Sequence, residues 1–307
     1  MNLFTFNFNK MKKFFSKLVL FILPLFLYII INLCYNNYTY RNESIDMGAI
    51  DDLIIGDSQL MTSMDTSLFN NAKNLCQSAE PLIVSYWKLK KIFKSNKPKQ
   101  IYLGLSPNNI SKYNDYKFSD KKWAQTMFSR IYPIHDLNSI SNKIEIDFAK
   151  FYKVLFKQTA FYPKNIHSNY LGSFSKKSSS DVSNWELRIK QHFFHNEKVL
   201  GESIIAIAYL DSIIELCTEF ETSLTLIGSP LHSNYFTNIP KPVLIEYYKI
   251  KEKLIKQGLC FIDKSNDNTY ADSLFYDANH LNYVGANRFT NEVLELSKAF
   301  NENKLKL

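Results

Sequence analysis

Residues 51–60 read DDLIIGDSQL. A short apolar run, Leu53-Ile54-Ile55, is closed by Gly56-Asp57-Ser58, the form of a strand buried on both faces and ending in a tight turn. Strands buried on both faces belong to parallel sheets covered by helices, so this decad predicts an α/β protein. It also sets the Ser58 hydroxyl just past the carboxyl end of a strand, the edge at which open α/β sheets hold their ligands.

Outward from that decad the pattern repeats. A second apolar run, Ala72 to Cys76, leads into EPLIVSYWKLKKIF (80–93), whose apolar residues recur at helical spacing with Pro81 in the first turn. A third strand, Gln100 to Leu105, ends in Ser106-Pro107-Asn108-Asn109. After residue 198 come a helix over 202–220, a strand over 223–228, a helix over 242–257, a strand over 259–263 and a last helix over 284–299. Five strands with helical crossovers predict an open, doubly wound parallel sheet. Residues 110–198 break the alternation. They are rich in Tyr, Phe, Trp, Lys and Ser, include the low-complexity run SFSKKSSSDVSN (173–184), and carry only broken helical patches. They read as an inserted cap.

Upstream, LVLFILPLFLYIIINLC (18–34) is apolar apart from Pro24 and Asn32, and long enough to cross a hydrocarbon core of about 30 Å. Lys10, Lys12, Lys13 and Lys17 precede it with no acid among them. By the positive-inside bias they place residues 1–17 in the cytoplasm, 18–34 as a transmembrane anchor, 35–48 as a stalk, and 49–300 as an α/β domain outside the cytoplasm. A cleaved signal peptide is the rival, but no small-x-small site follows the run, which favours an uncleaved anchor. The chain has 307 residues and a net charge of +8, of which half lies in the first seventeen. The remainder is close to balanced and carries no basic stripe or nucleic-acid motif, so nucleic acid is not an expected partner. The four cysteines have neither metal-ligand spacing nor a disulfide framework, and Cys76, Cys217 and Cys260 read as small buried hydrophobes.

The chemistry is expected at two turns. Near the C-terminus, DANHLNYVGA (277–286) puts a carboxylate three residues before a histidine and just ahead of the final helix. A serine hydroxyl becomes a nucleophile when a base removes its proton, and the base works best when a third group fixes its tautomer. Ser58, His280 and Asp277 supply those roles. Among the other histidines, His232 follows the fourth strand at the same edge and is either a substrate contact or an ordinary loop residue. His192 and His195, three apart in HFFH, lack an evident third metal ligand and read as packing residues. No cofactor and no metal is expected.

IIGDSQL and DANHLNYVGA together resemble the nucleophile and histidine blocks of the SGNH (GDSL-type) hydrolase family, over about 51–109 and 201–297. The resemblance implies a flavodoxin-like three-layer α/β/α sandwich and ester hydrolysis or acyl transfer through an acyl-serine. It further implies an oxyanion hole made from the Ser58 N–H, the N–H of Ala79 where the family has glycine, and an asparagine side chain. For the last, Asn108 is chosen, with Asn109 and Ser106 as rivals. Gln59 stands where the nucleophile block usually has leucine. The expected function is a membrane-anchored extracytoplasmic serine esterase or O-acyltransferase acting on acylated carbohydrate, such as O-acetyl groups of surface or cell-wall glycans. The alternative is a catalytically silent glycan-binding or assembly protein on the same fold.

Overall fold

The computed structural model describes residues 8–42, 44–45, 47–131, 141–161 and 170–304. Helix α1 (Phe8–Asn42) carries the apolar run and leaves it almost wholly exposed. The α/β body then alternates β1 (Asp52–Ile55), α2 (Ser58–Ser63), β2 (Ala72–Asn74), α3 (Leu82–Ile92) and β3 (Gln100–Gly104). The insert follows, with α4 (Tyr113–Tyr116), α5 (Ala124–Ile131), α6 (Phe148–Thr159), α7 (Trp185–Phe193) and a short hairpin of β4 (Phe194–His195) and β5 (Lys198–Val199). The alternation resumes through α8 (Ile204–Glu219), β6 (Ser223–Gly228), α9 (Ser233–Thr237), α10 (Lys241–Lys256) and β7 (Cys260–Asp263). It closes with the ribbon β8 (Phe275–Asp277) and β9 (His280–Leu281), and α11 (Tyr283–Lys304).

The central sheet has the order β2-β1-β3-β6-β7 with every pair parallel, the flavodoxin-like order. Alternate residues of its strands serve two cores. Leu53, Ile55, Ile101, Leu103 and Leu226 pack with Leu89, Leu210 and Leu254 of α3, α8 and α10 on one face. Ile54, Tyr102, Ile227 and Ile262 pack with Leu60, Phe289 and Val293 of α2 and α11 on the other. The fold is therefore the three-layer α/β/α sandwich. A third, separate cluster lies in the insert, where Phe118, Met127, Phe128, Ile131 and Val154 bury against Ile83 and Val84 of α3.

Residues 35–42, the first part of the expected polar stalk, are helical, and Asn36 and Tyr40 dock on the insert. Asn36 Nδ2 donates to Thr159 O and Phe161 O at 2.8 and 2.9 Å, and Tyr40 is buried. Polar residues that read as a solvated spacer are here the side chains that fasten α1 to the body. The four cysteines are free, with Cys76, Cys217 and Cys260 buried.

Candidate active site

The chain starts its sheet at β1, adds β2 on one side and then crosses to β3 on the other, so the carboxyl ends of β1 and β3 flank the switch point. There Gly56 (φ 154°) and Gly104 approach so closely that a Cβ on Gly56 would meet the Gly104 backbone at 3.2 Å. Two glycines at that crossing let the β1 turn tuck against β3. Asp57 caps α2, its Oδ1 accepting from Gln59 N at 2.9 Å, and Ser58 opens the helix.

Ser58 Oγ lies 2.8 Å from His280 Nε2, and His280 Nδ1 lies 2.8 Å from Asp277 Oδ1. Residues 222 positions apart in sequence thus form a continuous hydrogen-bonded chain. With the Asp277 carboxylate accepting from Nδ1–H, Nε2 is left as the acceptor facing the serine. Asp277 Oδ1 also accepts from Asn279 N at 3.0 Å, and Oδ2 pairs with Arg188 Nη2 at 3.1 Å. Burial alone would push the Asp277 carboxyl up, but His280, the Asn279 N–H and Arg188 outweigh it and hold it at about 2.

Opposite the histidine, Asn108 Nδ2 and Asn109 Nδ2 both donate to Asp57 Oδ2 at 2.9 Å. Asn109 is buried and its Oδ1 accepts from Ser106 N, so it braces the loop. Asn108 reaches the cleft wall beside Ser58 and Ala79. Ser106 Oγ, with one proton to donate, sits 2.5 Å from Gln59 Oε1 and 2.7 Å from each asparagine Oδ1. Gln59 in place of leucine is thereby explained as a partner for this buried hydroxyl.

Ala79 occupies φ 59°, the left-handed region that glycine adopts freely, in a turn closed by Glu80 N–H to Gln77 O at 3.2 Å. Three cations hook the carbonyls around it. Lys117 Nζ donates to Ala79 O at 3.0 Å, Arg130 Nη1 to Ser78 O at 2.8 Å, and Lys88 Nζ to Leu75 O at 2.7 Å. Lys88 also pairs with Glu80 at 2.5 Å, both side chains fully buried. Burial lowers the Lys117 ammonium to about 7.

The cleft between these groups encloses about 110 Å³, and its lining includes Ser58, Ala79, Asn108, Asn279 and His280 from the body. Tyr113, Lys117, Trp123, Arg188, Gln191 and His192 reach it from the insert. His192, expected only to pack, is a buried wall residue whose Nδ1 lies 2.7 Å from Tyr235 Oη, and burial holds its ring well below the usual imidazole range. Its sequence partner His195 stacks on Tyr116 at 4.7 Å, so the two rings do not converge. Among the described residues no group of three His, Cys, Asp or Glu side chains is gathered to hold a metal.

His232, read from the sequence as either a substrate contact or an ordinary loop residue, is held within the loops behind the cleft. It caps α9, its Nδ1 accepting from Asn234 N at 3.3 Å, and its Nε2 lies 3.0 Å from Asp272 Oδ1. Both ring nitrogens are engaged, and its own N–H donates to Ala278 O at 3.1 Å. It props the loop that carries His280 and does not line the cleft. The insert cations, by contrast, had no sequence signature, because Lys117, Arg130 and Arg188 sit in broken patches where lysine and arginine read as solvent-facing.

Fold and site together define a three-layer α/β/α protein with a serine, a histidine and an aspartate aligned at the carboxyl edge of its parallel sheet. Solved structures of similar fold include a Streptococcus pneumonia protein provisionally described as a platelet activating factor, with 11% identity, 91% of this chain and 97% of that chain covered, and TM-score 0.43. Others are a lipase/acylhydrolase from Enterococcus faecalis, with 12% identity, 82% and 97% covered and TM-score 0.38, and an acetylxylan esterase from Geobacillus stearothermophilus, with 9% identity, 82% and 96% covered and TM-score 0.37. No protein-family model and no curated protein matches the chain.

Proposed function

We propose that the chain is a serine esterase or O-acyltransferase working through an acyl-serine. The observation that carries this is the aligned Ser58–His280–Asp277 chain, both links at 2.8 Å, with Ser58 and His280 lining a small cleft. His280 Nε2 takes the Ser58 proton as Oγ attacks the ester carbonyl. Asp277 holds the tautomer and stabilises the imidazolium. The oxyanion is received by the N–H groups of Ser58 and Ala79 with the Asn108 side chain. His280 then returns the proton to the leaving alkoxide. Water or a carbohydrate hydroxyl, deprotonated by the same imidazole, releases the acyl group. The positive φ at Ala79 keeps the glycine-like turn in an alanine, which favours the catalytic reading over a silent binding protein.

Helix α1 holds an 18-residue window of mean hydropathy 2.5 of which only 6% is buried, which supports a membrane anchor. Its lysine-rich start supports a cytoplasmic N-terminus and a catalytic domain outside the cytoplasm. An anchored enzyme with a small cleft suits short acyl groups on envelope carbohydrate, O-acetyl above all. The test is covalent labelling and turnover. A fluorophosphonate probe is expected to label the protein at Ser58, and Ser58→Ala to lose both labelling and p-nitrophenyl acetate turnover. Full turnover by Ser58→Ala would sink the proposal. Acetate release from native envelope glycan, absent in Ser58→Ala, addresses the substrate.

A further inference from the structure

Helix α6 reads FAKFYKVLFKQT and carries no acid within it. Val154 turns inward to the insert core, with Phe151 packed edge-on against Phe128 at 5.6 Å. The opposite stripe does not: Phe148, Tyr152 and Phe156, spaced by four, are 47%, 61% and 46% exposed. Phe161, 48% exposed, extends it, its ring 5.9 Å from Phe156. Lys153 and Lys157 form the next exposed row round the helix. A contiguous aromatic stripe bordered by lysines, on a helix without acids, has the composition of one lying in a membrane interface.

What covers this stripe is indicated by where α6 ends. Its C-terminal carbonyls, at Gln158 and Thr159, and that of Phe161 accept hydrogen bonds from Tyr40 and Asn36 of α1. Asn36 lies two residues past the end of the apolar run at Cys34, about 3 Å along a helix axis. Tyr35 and Tyr38, 57% and 71% exposed, ring α1 at the same level, as aromatic residues do where a span leaves hydrocarbon. The hydrogen bonds therefore hold the end of α6 at the height where α1 meets the headgroups.

We infer that α6 is a second membrane contact, its Phe148–Tyr152–Phe156 stripe and Phe161 seated in the outer interface of the bilayer that α1 spans, with the lysines toward lipid phosphate. This rests on the reading of α1 as an anchor. Two attachments, one spanning and one lying flat, fix the height and tilt of the catalytic domain where a single helix would leave it free to swivel.

The test uses the full chain carrying Cys34→Ser in phosphatidylcholine/phosphatidylglycerol liposomes, with bimane attached through Tyr152→Cys or, as a reference on exposed α10, Lys256→Cys. Cys76, Cys217 and Cys260 are buried and stay unlabelled. Bimane at 152 is expected to be quenched several-fold more by shallow doxyl lipid than bimane at 256, and to be shielded from aqueous iodide. Adding Phe148→Ser and Phe156→Ser should reverse both effects while leaving turnover of p-nitrophenyl acetate unchanged. Equal iodide access at 152 and 256 in protein that floats with the liposomes would overturn the inference. So would iodide shielding without lipid quenching, which would mean that a second copy covers the stripe. Protein that fails to float would instead overturn the anchor itself, and the inference with it.

Discussion

An alanine in the left-handed region carries about 1–2 kcal/mol of backbone strain, and at Ala79 that strain is balanced by cations reaching in from the insert. Above pH 7, where burial leaves Lys117 largely uncharged, its hydrogen bond to Ala79 O is that of a neutral donor, worth about 0.5–1.5 kcal/mol. Lys117→Met should therefore destabilise by that order, and by at least ~0.5 kcal/mol less when Ala79→Gly has already removed the strain. Strict additivity in urea denaturation would show that the two are unconnected. Lys117 also has a pH signature. Its folded pKa, about 7, lies below its ordinary 10.5, so between those values the unfolded chain holds a proton that the folded chain has released. Its contribution to stability rises with pH across that window and is at its least below 7, a slope that Lys117→Met should remove. Asp277 gives a slope of the same sign at acid pH, but there the lowered value means that the fold favours the charged form. Held at about 2 against an ordinary 3.8, it stabilises the folded state above pH 4, by about 2 kcal/mol, and loses that contribution as pH falls through 2. Asp277→Asn should flatten the acid limb and, by disturbing the His280 tautomer, lower kcat by about 10⁴-fold.

Among the elements, α3 does two jobs that its sequence shows unequally. Its apolar face toward the sheet is plain from spacing, and Leu82, Leu89 and Ile92 lie in the core. Lys88 lies on the same helix, where a lysine reads as solvent-facing, yet it is fully buried with Glu80 beneath the Ala79 turn. Breaking a buried pair leaves an uncompensated charge, so Lys88→Met or Glu80→Gln should destabilise by about 3–5 kcal/mol in urea titration. Replacing both with apolar residues should recover much of the loss. The same contrast runs through the chain. Strand ends and their turns were legible because Gly56-Asp57-Ser58 and Asp277-x-x-His280 sit beside short, strongly patterned runs, where local sequence dictates local structure. The docking of Asn36 and Tyr40 has no such local signal, because their partners lie some 120 residues away on α6. His192 was placed in packing because an HFFH run says nothing of which ring faces the cleft. Long-range partners of polar side chains have no local signature, and the missed residues are of that kind.

At the scale of the whole molecule, the insert turns a sheet edge into a narrow cleft walled from both sides. The sheet edge presents Ser58, His280 and Asn108, and Tyr113, Trp123, Arg188, Gln191 and His192 line the cleft with them, about 110 Å³ in volume. A cleft of this size suits an acetyl ester, and a longer acyl chain has to press against the side chains that line it. A substrate group that does not fit must displace packed side chains, at a cost of about 1–3 kcal/mol or more. That cost should fall on the transition state and appear in kcat/KM. The protein is therefore expected to turn over p-nitrophenyl acetate at least ~100-fold more efficiently than the octanoate, a ratio equivalent to about 2.7 kcal/mol. Tyr113→Ala, which removes a ring from the insert wall without touching Ser58, His280 or Asp277, should shrink the ratio by improving the longer ester. Equal turnover of acetate and octanoate by the unaltered protein would mean that the insert stands open during catalysis, and would remove the case for short acyl groups while leaving the serine mechanism in place.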